Sequence, residues 1–201
     1  MKIIISGWTA AGKSTTAGLL AADLGWPCLR MTTIMRSLVR SGATPDQPDW
    51  LMTDDETRRR RPDLDRLADD AMTAAMARNP NAIVDAWLQP WLYSGSDALR
   101  IWLRSDFPSR LAKATVSTLR TGQSPDPGLA GIVVAKDRFS ERLFRQLYGI
   151  RFGCQAGLFD LVLDNSRYIA EATVTASDTG ISRFHAHLRR QLPSELGIDK
   201  H

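Results

Sequence analysis

The segment Gly7-Trp8-Thr9-Ala10-Ala11-Gly12-Lys13-Ser14 constrains this chain more than any other feature. It matches GxxxxGK[ST] at every fixed position. It stands between an apolar run at 2–6 and a stretch at 13–23 with helical spacing at Ala17, Leu20 and Ala21. Strand, glycine loop and helix in that order form a phosphate cradle. The glycines allow backbone conformations a Cβ would block, the loop N–H groups turn inward, and the helix adds its positive end. Lys13 is then expected at the β- and γ-phosphates, the Ser14 hydroxyl on Mg²⁺, and Thr15 near the α-phosphate. Trp8 is unusual where small residues are common. It is expected either to cover the nucleotide or to fill a gap.

The rest of the chain alternates in the same manner. Buried-strand patterns recur at 27–31, 82–86, 98–103 and 158–164. Helical patterns fall at 32–40, 62–78, 108–119, 132–147 and 177–192. Between them lie a stretch at 41–61, holding Trp50 and the run Arg58–Arg61, and a Gly/Pro-rich loop at 121–131. The stretch at 41–61 is expected to be a surface loop or flap, and its arginines either a solvated run or a closure over acceptor phosphates. Strands alternating with helices imply a parallel sheet with right-handed crossovers, whose ligands sit at the carboxyl ends of the strands. Asp85, ending the strand pattern at 82–86, falls on that edge.

Composition excludes other classes. With 201 residues, 43% hydrophobic and 24% charged, the chain suits one globular domain rather than a disordered or fibrous one. The net charge of +4 suits a phosphate-bearing ligand and provides no broad face for nucleic acid. No segment approaches the ~18 apolar residues of a membrane span. Cys28 and Cys154 are expected as free thiols of a cytoplasmic protein, a monomer or homodimer. His185 and His187, two apart on one helix, do not form a metal pair.

The opening IIISGWTAAGKSTTAGLLAADLGWP resembles the nucleoside monophosphate kinases, and most of all the short cytidylate kinases of archaeal type. Further pieces recur in order: Thr33-Ile34-Met35-Arg36, Pro62-Asp63-Leu64-Asp65, Ala98–Leu103 with Arg110 after it, Leu147-Tyr148-Gly149-Ile150, and Phe159–Ser166. The resemblance implies one P-loop kinase domain over 1–201, an α/β three-layer fold. It would have a five-stranded parallel sheet, helices on both faces, an acceptor-binding insertion at about 32–78 and a helical lid at about 117–148. It implies ATP and Mg²⁺ as cofactors, with Gly7 to Thr15, Arg110 and Asn165 at the nucleotide. Arg36 and Asp65 fall to a small-molecule acceptor, and Lys13, Asp85, Arg138 and Arg142 to transfer. Trp87 and Trp91, four apart, are expected either to flank that acceptor's pocket or to pack in the core.

Three departures stand out. Trp87 occupies the place where the family keeps an arginine that clamps the acceptor phosphate. Arg151 follows the YGI signature where an acidic residue is usual. The lid helix carries Arg138, Arg142 and Arg145 around Ser140 and Glu141. An indole cannot supply the bidentate fork of a guanidinium. The implied activity is transfer of the γ-phosphoryl group of ATP to a nucleoside monophosphate, cytidylate-like, or a related small molecule. Two alternatives stay open: a kinase for a hydroxyl of a nucleoside, antibiotic or biosynthetic intermediate, and a non-catalytic ATP-binding module. Asp85 is either the base for a hydroxyl acceptor or the holder of a Mg²⁺-bound water.

Overall fold

The computed structural model describes residues 1–39, 63–169 and 171–196. The elements, in chain order, are β1 (Lys2–Gly7), α1 (Lys13–Leu24), β2 (Cys28–Arg30), α2 (Met31–Val39), α3 (Leu64–Arg78), β3 (Ala82–Asp85), α4 (Gln89–Leu92), β4 (Ala98–Arg104), α5 (Phe107–Arg120), α6 (Leu129–Tyr148), β5 (Leu161–Asp164) and α7 (Val174–Gln191). The stretch at 41–61, with Trp50 and Arg58–Arg61, lies outside the described residues.

The five strands form one all-parallel sheet in the order β2-β3-β1-β4-β5. β1 is therefore central. The chain winds first to one side of it and then to the other, which puts the switch point at the carboxyl ends of β1 and β3. The register pairs Ile5 with Asp85 and Gly7 with Leu103, so the loop after β1 and the carboxylate of β3 emerge side by side.

Alternation along β1 divides the core between two faces. Ile3 and Ile5 pack with Ala17, Leu20, Phe184 and Leu188, from α1 and α7. Ile4 turns the other way, onto Val84, Met72 and Met76. Toward the carboxyl end of β4 lies a further, aromatic cluster built around Trp102, Phe144 and Phe152, with Trp8, Trp87 and Trp91 packed against it. Trp102 is core, as its place in a strand predicts.

Several element boundaries differ from the periodicity-based expectation, and at two of them a side-chain cap extends the helix. Asp106 accepts from Ser109 N at 2.8 Å and starts α5 at Phe107. The Thr173 hydroxyl accepts from Ala176 N at 3.2 Å and starts α7 at Val174 rather than at 177. The α6 ladder begins at Leu129, inside the expected loop, with Leu129 N bonded to Asp126 O. The last strand is shorter than 158–164. It starts at Leu161, because Asp160 turns its carboxylate back onto Arg100 N at 2.6 Å.

Candidate active site

Two cavities meet at the loop after β1. The larger, about 690 Å³, runs over Ala10 to Thr16 and on to Lys113, Asn165 and the inner face of α7. The smaller, about 140 Å³, lies on the other side of the loop between α2, α3, β3 and α6. Ala10, Lys13 and Ser14 line both. A group passing from one cavity to the other crosses at Lys13 and Ser14.

The loop's shape follows from its sequence. Gly12 precedes α1 with φ 90°, and Ala10 is also left-handed at φ 58°. Alternating hands turn successive N–H groups to one side, which makes an anion nest. A Cβ on Gly7 would come within 2.8 Å of the Leu103 carbonyl, so only glycine lets β1 run this close to β4. The Lys13 ammonium donates to the carbonyls of Gly7 and Trp8, each at 2.9 Å. Burial lowers its pKa to about 8, against the opposing pull of the Asp85 carboxylate.

A second layer holds the loop in place. Asn165, 3% exposed, donates through Nδ2 to the Ala11 carbonyl at 2.8 Å, and its Oδ1 accepts from the Lys113 ammonium at 2.5 Å. Burial also lowers Lys113 to about 8. On the opposite flank, Arg110 donates through Nη1 to the Thr9 carbonyl at 3.1 Å and to Asp137 Oδ2 at 2.5 Å. Asp137 Oδ1 accepts from Thr9 N at 3.1 Å. One buried ion pair thus joins α5, α6 and the loop.

The small cavity has a distinct chemistry. Its walls carry three carboxylates, Asp65, Asp69 and Asp85, each under a tenth exposed, together with Lys13, Lys136, Trp87 and Phe144. Among the described residues no arginine lines it. The Trp87 ring centroid lies 5.3 Å from Lys13 Nζ, a cation–π distance, and the ring stands edge-on to Phe144 at 5.6 Å. Its carbonyl accepts from the Ser6 hydroxyl at 2.7 Å, which ties this wall to β1.

Not every residue expected at the site is brought there. Lys13, Ser14, Thr15, Asn165, Asp65, Asp85 and Trp87 line one cavity or both. Trp8 lines neither. Its ring stands edge-on to Phe152 at 4.9 Å and to Trp102 at 6.5 Å, which makes it a gap filler rather than a cover. Trp91 does not share a pocket with Trp87, because α4 carries it back onto Phe152 and Phe159, each at 5.5 Å. Arg110 is drawn away by Asp137 and the Thr9 carbonyl. Arg36 is exposed beside Met35 and outside both walls. Arg138 and Arg142 are exposed and line neither cavity. The inward stripe of α6 is Lys136, Ser140 and Phe144, spaced by four, and the two arginines fall on the opposite side. Reading the lid for arginines overlooked Lys136 and Asp137. Their spacing against the apolar positions Val133 and Phe144 was the available signal. Asp69, one turn after Asp65, was also overlooked.

Comparisons agree with this architecture. No protein-family model matches the chain. A cytidylate kinase of Aeropyrum pernix is 30% identical over 172 residues, 85% of this chain and 92% of that protein. A cytidylate kinase of Sulfolobus acidocaldarius is 29% identical over 188 residues, 93% of this chain and 97% of its own length. Among solved structures, the shikimate kinase of Bacteroides thetaiotaomicron superposes with a TM-score of 0.55 at 12% identity, covering 94% of this chain and 97% of that one. An uncharacterised protein from Eubacterium ventriosum gives a TM-score of 0.54 at 14% identity, covering 92% and 98%. The solved structures share the P-loop kinase fold, and the sequence relatives share most of the chain. The chain belongs to the cytidylate kinase family of P-loop kinases.

Proposed function

We propose that this kinase moves the γ-phosphoryl group of ATP to a hydroxyl group of a small, nucleoside-like acceptor. The observation that carries this reading is the wall of the small cavity. Trp87, at the position where the resemblance implies a phosphate-clamping arginine, lines it together with Asp65, Asp69 and Asp85. Three carboxylates against the ammoniums of Lys13 and Lys136 repel a doubly charged phosphate. The same carboxylates accept hydrogen bonds from the hydroxyl and amino groups of a nucleoside, and the indole face suits a flat ring.

The phosphate nest, Lys13 and the inner face of α7 would hold ATP in the large cavity. Ser14, at the junction, would hold Mg²⁺, with phosphate oxygens and water completing its shell. A single protein hydroxyl fits an ion that keeps most of its water and takes phosphate oxygens. When bound, Mg²⁺ neutralises charge on the transferring phosphates. The chain's own part is positioning and proton handling. The acceptor oxygen forms a bond to the γ-phosphorus, the bond from that phosphorus to the β,γ-bridging oxygen breaks, and its electron pair leaves with ADP. The hydroxyl proton passes to Asp85 Oδ, the only carboxylate of the three on the β3 edge beside Lys13. Lys13 and Lys136 face the same transfer point and oppose the negative charge that spreads over it.

A second reading, transfer to cytidine monophosphate, is favoured by the names of the sequence relatives. Turnover with ATP separates the two. Cytidine is expected to be phosphorylated with kcat/KM at least about tenfold above that of CMP, the ratio that about 1.4 kcal/mol of charge repulsion produces. CMP as the better acceptor would favour the second reading.

A further inference from the structure

The last residue of α6, Tyr148, touches the acceptor cavity only through another side chain. Its hydroxyl donates to Asp69 Oδ2 at 2.8 Å. Asp69, on α3, lines the cavity and is 7% exposed. Arg66, one turn before Asp69 on the same helix, lies over the Tyr148 ring at 5.4 Å and donates through Nη2 to the Leu147 carbonyl at 2.8 Å. Gly149 ends α6 immediately afterwards in a left-handed turn at φ 67°. The backbone carbonyl of Asp69 accepts from the hydroxyl of Thr73 at 2.9 Å, and Gln89 Nε2 lies 3.4 Å from it, so the main chain there is held as well.

A carboxylate at a cavity wall rotates about its terminal bond unless one oxygen is fixed. The phenol fixes one. Burial and the adjacent carboxylate push the Tyr148 hydroxyl well above its ordinary range, so it stays a neutral donor at every working pH. The contact also spans two bodies that must agree during transfer: α3, which carries the acceptor wall, and α6, which carries Lys136 and Asp137.

We propose that Tyr148 is a positioning residue for the acceptor, orienting Asp69 in the cavity wall and tying the end of α6 to α3. The proposal deepens the functional reading above and rests on the small cavity being the acceptor site. It implies that acceptor binding, rather than ATP binding, depends on a group outside the cavity.

The test is steady-state kinetics of wild type, Tyr148→Phe, Asp69→Asn and the double variant, with ATP and either cytidine or CMP. Phenylalanine keeps the ring under Arg66 and removes the donor alone. Tyr148→Phe is expected to raise acceptor KM about tenfold, as loss of a hydrogen bond to a charged group does, with smaller changes in kcat and ATP KM. In the Asp69→Asn background the same change is expected to add little, because the partner is already altered. An unchanged acceptor KM overturns the proposal. So does an equal loss in kcat and both KM values with a lowered Tm, and so does full additivity with Asp69→Asn. Better turnover of CMP than cytidine would sink the hydroxyl reading while leaving Tyr148 testable on CMP. A wild type inert to both overturns the reading and the proposal that rests on it.

Discussion

At the residue scale, the donor site holds two lysines whose burial opposes their charge. Lys13 and Lys113 both fall to about 8 in the free protein. Phosphate anions favour the ammonium form, so binding raises both pKa values and draws protons from solution. Calorimetry at pH 8 in buffers of different ionisation heat is expected to show net proton uptake on ATP binding, with affinity falling as pH rises further. Zero uptake would mean that these ammoniums do not meet the phosphates. Trp87 supports a second expectation at this scale. Trp87→Arg restores a guanidinium beside Asp85 and removes the ring that faces Lys13. It is expected to improve CMP as an acceptor relative to cytidine by about tenfold or more, measured as the ratio of kcat/KM values. A ratio unmoved by the change would show that Trp87 plays no part in choosing the acceptor.

Elements explain why some of the site was legible in the sequence and some was not. The phosphate loop was legible residue by residue, because a nest needs glycine at fixed positions and a lysine and hydroxyl at fixed offsets. Asp85 was legible as a strand end on the ligand edge. The α6 contribution was not. Arginine is the residue one looks for around phosphates, yet helical phase puts Lys136 and Asp137 on the inner side and leaves Arg138 and Arg142 outside. Asp137 illustrates the consequence. Its side chain is 14% exposed and that of Arg110 is 10%, so the pair is close to buried, and each partner depends on the other. Asp137→Ala leaves the guanidinium unpaired under the loop. It is expected to cost about 3 kcal/mol and lower Tm by roughly 6–12 °C, read by thermal denaturation. A Tm within a degree or two of wild type would show that the pair contributes little. The short α4 was likewise hard to place. Spacing brought Trp87 and Trp91 together, whereas Trp87 precedes the helix and only Trp91 lies on it.

At the scale of the whole molecule, the order β2-β3-β1-β4-β5 gives the protein one ligand edge, with a cavity on either side of the loop after β1. One side of the loop is an extended groove with lysines and a carboxamide, the side proposed to take a triphosphate. The other is a small, acidic and aromatic chamber. This division was only half legible. A parallel sheet and its ligand edge follow from alternating patterns. The sign of the charge in the acceptor chamber depends on which carboxylates α3 turns inward, and that appears only when helices and sheet are packed. The family resemblance specified the frame and the ATP side. The acceptor side had to be read from the residues that face it.

The chemical class of the product tests that reading most directly. A hydroxyl acceptor yields a phosphomonoester, whereas a phosphate acceptor yields a new phosphoanhydride. Phosphorus NMR of the reaction of wild-type protein with ATP, Mg²⁺ and an equimolar mixture of cytidine and CMP distinguishes them without separation. The account predicts growth of the phosphomonoester signal in step with ADP. A shrinking phosphomonoester signal, with diphosphate doublets growing at two nucleoside diphosphates per ATP consumed, would contradict it.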